Sequence, residues 1–167
     1  MCSSDLVPPG EVEDPFEKNE PGKGVGRDPE RTPMQWDSSP NAGFTSNRPW
    51  LRLAEDWPSR NVATLERDPR SILGLYRRLI ELRRRHVALT AGSCEPVSTD
   101  GQLFAFARVH GAERLLIAAN FSAEPMAIPA AIRSAGASVL LSTYLDRDGA
   151  LEDWRLRPNE ALLVAIE

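Results

Sequence analysis

The 167-residue sequence lacks the features that mark several large classes of protein. Its net charge is −4, so it has no basic excess with which to bind nucleic acid or an anionic membrane. No apolar run approaches the roughly 20 residues of a membrane-spanning helix. The cysteines, Cys2 and Cys94, are too few for a disulfide framework and have no neighbours that would complete a zinc site. We therefore expect a cytoplasmic protein with no nucleic-acid partner, no membrane contact and no metal.

Motifs for nucleophilic or cofactor chemistry are also missing. His86 and His110 stand at a predicted helix end and a predicted hairpin turn, away from residues that would complete a Ser/His/Asp triad. The glycine-rich run Pro21–Gly26 does not join a strand to a helix, so it does not qualify as a phosphate-binding loop. Nothing points to an organic cofactor. The chain does have 41% apolar residues, which is enough for a packed core.

The first six residues differ in character from the rest. MCSSDL has no basic region followed by an apolar stretch, so it is not a secretory signal. The peptide Cys-Ser-Ser-Asp-Leu can be translated from the end of a common sequencing-library adaptor. We therefore predict that residues 1–6 are a non-native leader, that the natural frame begins near Val7, and that the chain is the tail of a longer protein.

Residues 7 to 67 hold most of the chain's 14 prolines and three of its four tryptophans, with no helical or strand period. A loop this long is unusual in a compact domain unless it is functional or packs onto something larger. Asp68-Pro69 then predicts a helix start, as an N-cap followed by proline at the first helical position. Apolar residues recur after it at helical spacing: Ile72, Leu75, Tyr76, Leu79 and Leu82. We predict one helix over Asp68–His86 that packs against a broad surface.

From Gly92 onward the pattern changes to short apolar runs separated by turn signals. The predicted strands are Gln102–Val109, Glu113–Phe121, Ala137–Thr143, Trp154–Arg157 and Ala161–Ile166. The turn signals between them include His110-Gly111, Arg147-Asp148-Gly149 and Pro158-Asn159. This spacing predicts an antiparallel sandwich or a small barrel. A loop, one helix and an all-β module together suggest the last third of a protein.

The segment Gly26–Phe44 carries the side chains of most chemical interest. Arg27 and Arg31 stand beside Asp28 and Glu30. Each guanidinium offers five donors in a fixed fork and keeps its charge, which suits hydroxyl-rich or carboxylate-bearing ligands. Tryptophans that could offer apolar faces to a sugar ring follow: Trp36, Trp50 and Trp57. The alternative is that Arg27–Asp28 and Arg31–Glu30 are surface charges and that the tryptophans belong to the core.

GRDPERTPMQWD, followed by PNAGFT and PWL, resembles the α-glucosidase and oligo-1,6-glucosidase branch of the α-amylase family, glycoside hydrolase family 13. The stretches EVEDPFEKNEPGKGVG, SILGLYRRLIELRRRH, LLIAANFSAE and LRPNEALLVAI look like the same branch. The resemblance therefore extends from about Val7 to Glu167. It departs from the commonest version of the motif at Glu30, where a small residue is usual.

The resemblance implies an α+β fragment. In the family a (β/α)8 barrel, whose C-terminal loops form the active site, is followed by a small antiparallel β domain. Residues 7–86 would be the loop after the eighth strand and the eighth helix of a truncated barrel, and residues 87–167 an antiparallel β-sandwich. Arg27 matches the family arginine that contacts the glucose bound at the cleavage point. Arg31 matches a second arginine lining that pocket, so both are predicted substrate-binding residues.

The same resemblance implies a parent enzyme that is a retaining α-glucosidase acting on short α-linked gluco-oligosaccharides. Such enzymes need a nucleophilic carboxylate and a carboxylic acid roughly 5–5.5 Å apart. In this family these residues lie on earlier barrel strands, and Asp14, Asp28 and Asp37 match none of their motifs. We therefore assign no catalytic residue and predict that the chain by itself is inactive.

Three alternatives remain open from the sequence. The parent could be a transglycosidase of the same family that isomerises sucrose or maltose. Residues 87–167 could instead be a free-standing carbohydrate-binding module, although Trp154, the only tryptophan in that region, is predicted to pack inside rather than to display its ring. The third interpretation, which we favour for the β module within the enzyme, is a purely structural domain that covers apolar barrel surface.

Overall fold

A computed structural model describes residues 7–98 and 101–166 of the chain. The predicted leader, residues 1–6, and with it Cys2, lies outside the described residues. The chain divides after Asp68 into two compact units. We call residues 7–68 the loop unit and the described residues from Pro69 to Ile166 the β unit. The predicted boundary between residues 86 and 87 separates a barrel from a β domain and stays a prediction.

The loop unit contains only short helical pieces, which explains why its sequence shows no sustained period. Its α-helices are α1 (Pro15–Asn19) and α2 (Val62–Arg67), and its 3-10 turns are Pro9–Glu11, Pro29–Arg31 and Pro40–Gly43. Both α-helices begin at a side-chain cap. Asp14 Oδ1 accepts the Phe16 N–H at 3.0 Å, and Asn61 Oδ1 accepts the Thr64 N–H at 2.9 Å.

The predicted long helix is present as α3 (Ile72–Arg85), and a five-residue helix, α4 (Val87–Ala91), follows it. Its predicted start at Asp68 is wrong. The Asp68 N–H instead donates to the Leu65 carbonyl and ends α2. Ser71 is the N-cap of α3, because its hydroxyl accepts the Gly74 N–H at 3.1 Å. No helix among the described residues is long and apolar enough to cross a bilayer.

The β unit is built from eight strands: β1 (Ser93–Ser98), β2 (Leu103–His110), β3 (Glu113–Asn120), β4 (Met126–Ala127), β5 (Ser138–Ser142), β6 (Gly149–Ala150), β7 (Arg155–Leu156) and β8 (Ala161–Ile166). Six of them form one sheet in the order β1-β2-β3-β8-β5-β6, and β4 pairs with β7 in a second sheet. All the pairings are antiparallel, which confirms the prediction of antiparallel strands. Strand β8 lies inside the large sheet, between β3 and β5.

The core of the β unit follows the alternation of its strands. On one face of the large sheet, Leu116 and Val164 pack against Ile128 and Leu156. Leu156 belongs to the small sheet, and Ile128 directly follows its strand β4. The other face, with Leu115, Leu141 and Leu163, packs against Leu75 and Leu82 of α3 and Ala88 of α4. Trp154 is partly buried against the first cluster, as predicted.

Helix α3 uses only part of its apolar surface for this packing. Ile72, Tyr76 and Ile80 are 57%, 60% and 48% exposed, although their spacing places them on one face. The β unit therefore covers one side of the predicted apolar face and leaves a second side open.

Candidate functional site

Arg27 and Arg31 converge on the carboxylate of Asp14, a residue with no exposed surface. Arg27 Nε lies 2.7 Å from Asp14 Oδ2, and Arg27 Nη2 lies 3.2 Å from Oδ1, so the fork engages both oxygens. Arg31 Nη2 adds a contact of 3.2 Å to Oδ2. The structure therefore brings both predicted substrate-binding residues to one buried acid.

Asp28 completes this group of charges. Its Oδ1 accepts Arg31 Nη2 at 2.8 Å, and its Oδ2 accepts the Asp14 N–H at 2.9 Å. The Arg27 N–H in turn donates to Asp14 Oδ2 at 2.9 Å. The Asp28 carboxylate thus binds the main chain at Asp14, and the Asp14 carboxylate binds the main chain at Arg27, the residue before Asp28. We call Asp14, Arg27, Asp28 and Arg31 the carboxylate–arginine cluster.

The turn before Arg27 is closed by Glu17. Its carboxylate accepts the N–H groups of Gly22, Val25 and Gly26 at 3.0–3.1 Å. Gly26 is required for close approach, because a Cβ at this position would lie 2.9 Å from the Glu17 Cβ. The first turn of α1 therefore fixes the main chain that leads into the cluster.

The cluster keeps its carboxylates ionised. The hydrogen bonds from the Arg27 guanidinium are the main cause that holds the pKa of Asp14 well below its usual range, and the Phe16 N–H adds to them. Burial alone would raise the pKa of Asp28, but the N–H groups of Glu13 and Asp14 and the Arg31 guanidinium outweigh it and lower that pKa. The partner Asp14 raises the pKa of Arg27. Neither aspartate can therefore act as a protonated acid near neutral pH.

Both guanidiniums keep one edge available. The side chains of Arg27 and Arg31 are 57% and 38% exposed. Within the described part of the chain their hydrogen bonds come from Nε and Nη2, which leaves Nη1 unengaged on each. The Arg27 guanidinium lies 5.0 Å from the Phe16 ring and that of Arg31 lies 5.4 Å from the Trp50 ring. The arrangement can present fixed donors beside aromatic faces to a hydroxyl-rich ligand.

The rest of the motif forms a hydrogen-bonded loop. The Ala42 carbonyl accepts the N–H groups of Trp36 and Asp37, at 2.8 and 3.3 Å. Asn41, Ala42 and Gly43 all have positive φ, at 56°, 56° and 66°, and Ala42 is fully buried. A left-handed alanine is a strained backbone that persists only where its surroundings impose it.

The sequence alternatives for the charged and aromatic side chains are resolved only in part. Arg31 pairs with Asp28 rather than with Glu30, which is exposed, and Arg27 pairs with Asp14 rather than with Asp28. Trp36 and Trp50 are 50% and 61% exposed, so they are not core residues of this chain. The role of Arg27 and Arg31 toward a substrate stays a prediction.

Sequence reasoning missed Asp14 as the centre of the cluster. The available signal was Asp14-Pro15, the same N-cap and proline pair that suggested a helix at Asp68.

Charged side chains are also paired outside this cluster, for example Glu113 with His86 in the β unit. Glu113 accepts the Ala88 N–H and contacts His86 Nδ1, both at 2.7 Å. The hydrogen bond from the Ala88 N–H is the main cause that lowers the pKa of Glu113, and the contact with His86 adds to it. A cleft of about 370 Å³ lies in the loop unit, but Arg27 and Arg31 do not line it. No group of three or more His, Cys, Asp or Glu residues suited to a metal occurs in residues 7–98 and 101–166.

Comparison with protein families gives a match over half of the chain. The family described as "Alpha amylase, catalytic domain" matches residues 7–92. An oligo-1,6-glucosidase of Bacillus cereus is 35% identical over 145 residues, which are 85% of this chain and 26% of that protein. The chain spans about a quarter of the length of the curated relatives that it matches.

Solved structures give the same grouping. Trehalose-6-phosphate hydrolase (TreA) of Bacillus licheniformis is 27% identical, with a TM-score of 0.81 over 99% of this chain and 34% of that chain. Isomaltulose synthase (PalI) of Klebsiella sp. LX3 is 28% identical, with a TM-score of 0.72 over 85% of this chain and 26% of that chain.

Proposed function

Because this chain belongs to the α-amylase family of glycoside hydrolases, we propose that it is the C-terminal part of a retaining α-glucosidase. The proposed substrates of the whole enzyme are short α-linked gluco-oligosaccharides. The proposed place of action is the cytoplasm. The similarity to oligo-1,6-glucosidases over most of this chain supports the choice of branch.

The carboxylate–arginine cluster is the observation that carries this proposal. Two guanidiniums are held by buried carboxylates, and among the contacts of the described residues each keeps Nη1 and part of its surface available. A fixed guanidinium can donate to sugar hydroxyls without first being ordered, so less free energy is lost on binding. Arg27 would contact the glucose at the cleavage point and Arg31 would line the same pocket.

The fold elements take matching roles in this proposal. The loop unit would be the loop after the eighth barrel strand, and α3 would be the eighth barrel helix. The exposed apolar side chains of α3, Ile72, Tyr76 and Ile80, would then be covered by other parts of the barrel. The β unit would be the C-terminal domain.

The reacting carboxylates would come from barrel strands earlier in the parent protein. A retaining glycosidase needs one carboxyl group that is protonated before bond cleavage. The lowered pKa values of Asp14 and Asp28 make them unsuited to that role. The chain by itself would therefore be inactive, and its contribution would be to bind and enclose the sugar.

A transglycosidase is the second candidate, and the similarity to isomaltulose synthase favours it. Both candidates would use the same glucose-binding arginines and differ in which acceptor attacks the intermediate. A free-standing carbohydrate-binding module is less well supported, because Trp154 packs against the core of the β unit and its carbonyl accepts the Ile128 N–H at 2.8 Å.

The proposal is tested by comparing Arg27→Lys with Arg48→Lys in the full-length enzyme. Lysine cannot reproduce the two-point fork on Asp14 while it also reaches a sugar oxygen. We expect kcat/KM on isomaltose or maltose to fall about 10- to 100-fold for Arg27→Lys, the effect of losing one charged hydrogen bond in a closed pocket. Arg48 is exposed, and its replacement should leave kcat/KM nearly unchanged.

Melting curves of both variants show whether each is folded, and chromatography of the products separates hydrolysis, which releases free glucose, from transfer, which forms new disaccharides. Equal losses at the two positions in folded proteins would mean that Arg27 does not contact the sugar.

A further inference from the structure

Asp14 has more hydrogen bonds than a simple ion pair requires. Its Oδ1 accepts the Phe16 N–H and Arg27 Nη2, at 3.0 and 3.2 Å. Its Oδ2 accepts the Arg27 N–H, Arg27 Nε and Arg31 Nη2, at 2.9, 2.7 and 3.2 Å. Both oxygens therefore face donors only, and the side chain is fully buried.

Three of these bonds involve Arg27, and they act on two parts of it. The bond to the Arg27 N–H fixes the main chain, while the bonds to Nε and Nη2 fix the plane of the guanidinium. The Asp14 carboxylate thus fixes both the main chain at Arg27 and the orientation of the Arg27 guanidinium. A flexible arginine without this acid would have many rotamers, and most would direct Nη1 elsewhere.

The main chain at Asp14 is fixed in turn by Asp28. The Asp14 N–H donates to Asp28 Oδ2 at 2.9 Å, and the Glu13 N–H donates to the same oxygen at 2.6 Å. Asp28 also holds Arg31, so the acid that positions Arg27 is coupled to the second arginine. Asp14 makes three hydrogen bonds with Arg27 and one with Arg31, so a change at Asp14 acts mainly on Arg27.

We propose that Asp14 is the positioning residue that aims Arg27 at the sugar. This inference rests on the proposed function, in which Arg27 contacts the bound glucose. Asp14 acts through Arg27 and does not itself touch the substrate, since its carboxylate is buried behind the two guanidiniums.

The test is Asp14→Asn in the full-length enzyme, with Asp56→Asn as the matched control. Asparagine has the same shape but replaces one acceptor oxygen by an amide donor, and either orientation of the amide would face the donors of Arg27. We expect kcat/KM on isomaltose to fall about 10- to 100-fold, similar to Arg27→Lys. Asp56 is exposed and forms a surface ion pair with Arg60 of the same unit, so its replacement should be nearly neutral.

A double variant distinguishes positioning from general stabilisation. If Asp14 acts through Arg27, Asp14→Asn combined with Arg27→Lys should lose little more activity than Arg27→Lys alone. If Asp14 only supports folding, the two losses should multiply, and the inference would be overturned. If Asp14→Asn does not fold, Asp14→Glu replaces it in the double-variant comparison. Glutamate keeps the charge but moves the carboxylate away from its position against the Arg27 guanidinium.

The outcomes for the inference and for the proposed function can be told apart. A large loss for Arg27→Lys with none for Asp14→Asn would reject the positioning role and leave the function standing. No loss for Arg27→Lys would reject the sugar contact of Arg27 and the inference with it.

Discussion

Each of the two units contains a buried carboxylate held by two arginines. Asp14 in the loop unit meets Arg27 and Arg31. Glu160 in the β unit meets Arg147 Nη1 at 3.1 Å and Arg157 Nη2 at 2.7 Å, and Ser142 Oγ donates to it at 2.7 Å. The side chains of both acids have no exposed surface. The local chemistry is nearly the same.

The surroundings of the two acids differ greatly. In the loop unit, residues 7–68, the buried apolar residues are Pro29, Pro33, Ala42 and Leu51, and the buried polar ones are Asp14, Asp28 and Asn61. The turn that holds Glu160 joins strands whose side chains fill two apolar clusters. Polar contacts are thus the main internal support of the loop unit, whereas in the β unit they supplement a packed core.

This difference leads to different consequences for the same kind of substitution. Loss of the acid in the β unit should reduce the stability of a cooperative domain. Loss of the acid in the loop unit should mainly disturb the local geometry of Arg27. One ion cluster would serve stability, and the other would serve binding.

The largest expected effect is that of Glu160→Ala on the stability of the 167-residue chain. The change leaves the Ser142 hydroxyl and the Arg157 N–H without their acceptor and removes one carboxylate from Arg147 and Arg157, which keep the Arg155 carbonyl and Asp146 respectively. Removal of one partner from a buried pair typically costs about 3–5 kcal/mol. Urea unfolding followed by far-UV circular dichroism should show a loss of this size.

Exposed Glu152 provides the control for that measurement, since Glu152→Ala should leave the unfolding midpoint unchanged. If both variants unfolded at the same urea concentration, the contacts of Glu160 would contribute no more to stability than those of an exposed charge.

An intermediate effect is expected from acid. The pKa values of Asp14 and Asp28 are lowered in the folded chain, so their contribution to stability is fully present above the ordinary aspartate value of about 4 and is lost progressively as the pH falls from there through the lowered folded-state pKa values. The pKa of Glu160 is lowered as well, because the contacts with Arg157, Ser142 and Arg147 outweigh the burial that would raise it. Both units should weaken in acid, but the loop unit has less apolar packing to retain its structure.

We therefore expect the loop unit to change at a higher pH than the β unit. In a Trp154→Phe variant the remaining tryptophans all report on the loop unit, and circular dichroism reports on the strands. Fluorescence should shift first as the pH is lowered from 7. Coincident transitions would show that the two units lose their structure together and that their support does not differ.

The smallest expected effect comes from two matched glycines. Gly111, in the β2–β3 turn, has φ 60°, and Gly24, in the loop unit, has φ 66°, and neither has a neighbour within 4 Å of an added Cβ. Alanine in a left-handed conformation costs about 1 kcal/mol. Gly111→Ala should therefore lower the melting midpoint of the strands by roughly 4–8 °C, whereas Gly24→Ala should leave it unchanged. A shift of the same size from Gly24→Ala would show that the loop unit unfolds together with the strands.

Much of the β unit could be predicted from its sequence, because its longer strands are apolar runs separated by turn signals. Ala161–Ile166 is observed with its predicted bounds. Strand β1 was missed since Pro96 cannot donate to a ladder, and it is tolerated here because β1 is an edge strand that pairs with β2 alone. The two-residue strands β4 and β6 are too short to show a period.

Helix ends and the cluster were harder to predict. The Asp-Pro signal is followed by a helix at Asp14-Pro15 but not at Asp68-Pro69, where Ser71 provides the cap a few residues later. The motif identified Arg27 and Arg31 but gave no partner beyond their neighbours in sequence. Asp14 lies 13 residues before Arg27, and only the folded turn closed by Glu17 brings them together.

The position of β8 inside the large sheet has a consequence for how the protein is made. During translation β1, β2 and β3 are synthesised well before β8 (Ala161–Ile166). Because β8 lies between β3 and β5 in the sheet, these two strands lack their shared partner until β8 is available. Nascent chains would expose the pairing edges of both strands during this interval, and such edges attract other chains. The β unit should therefore complete its fold only after β8 has emerged from the exit tunnel, when a chaperone that shields strand edges would be of most use.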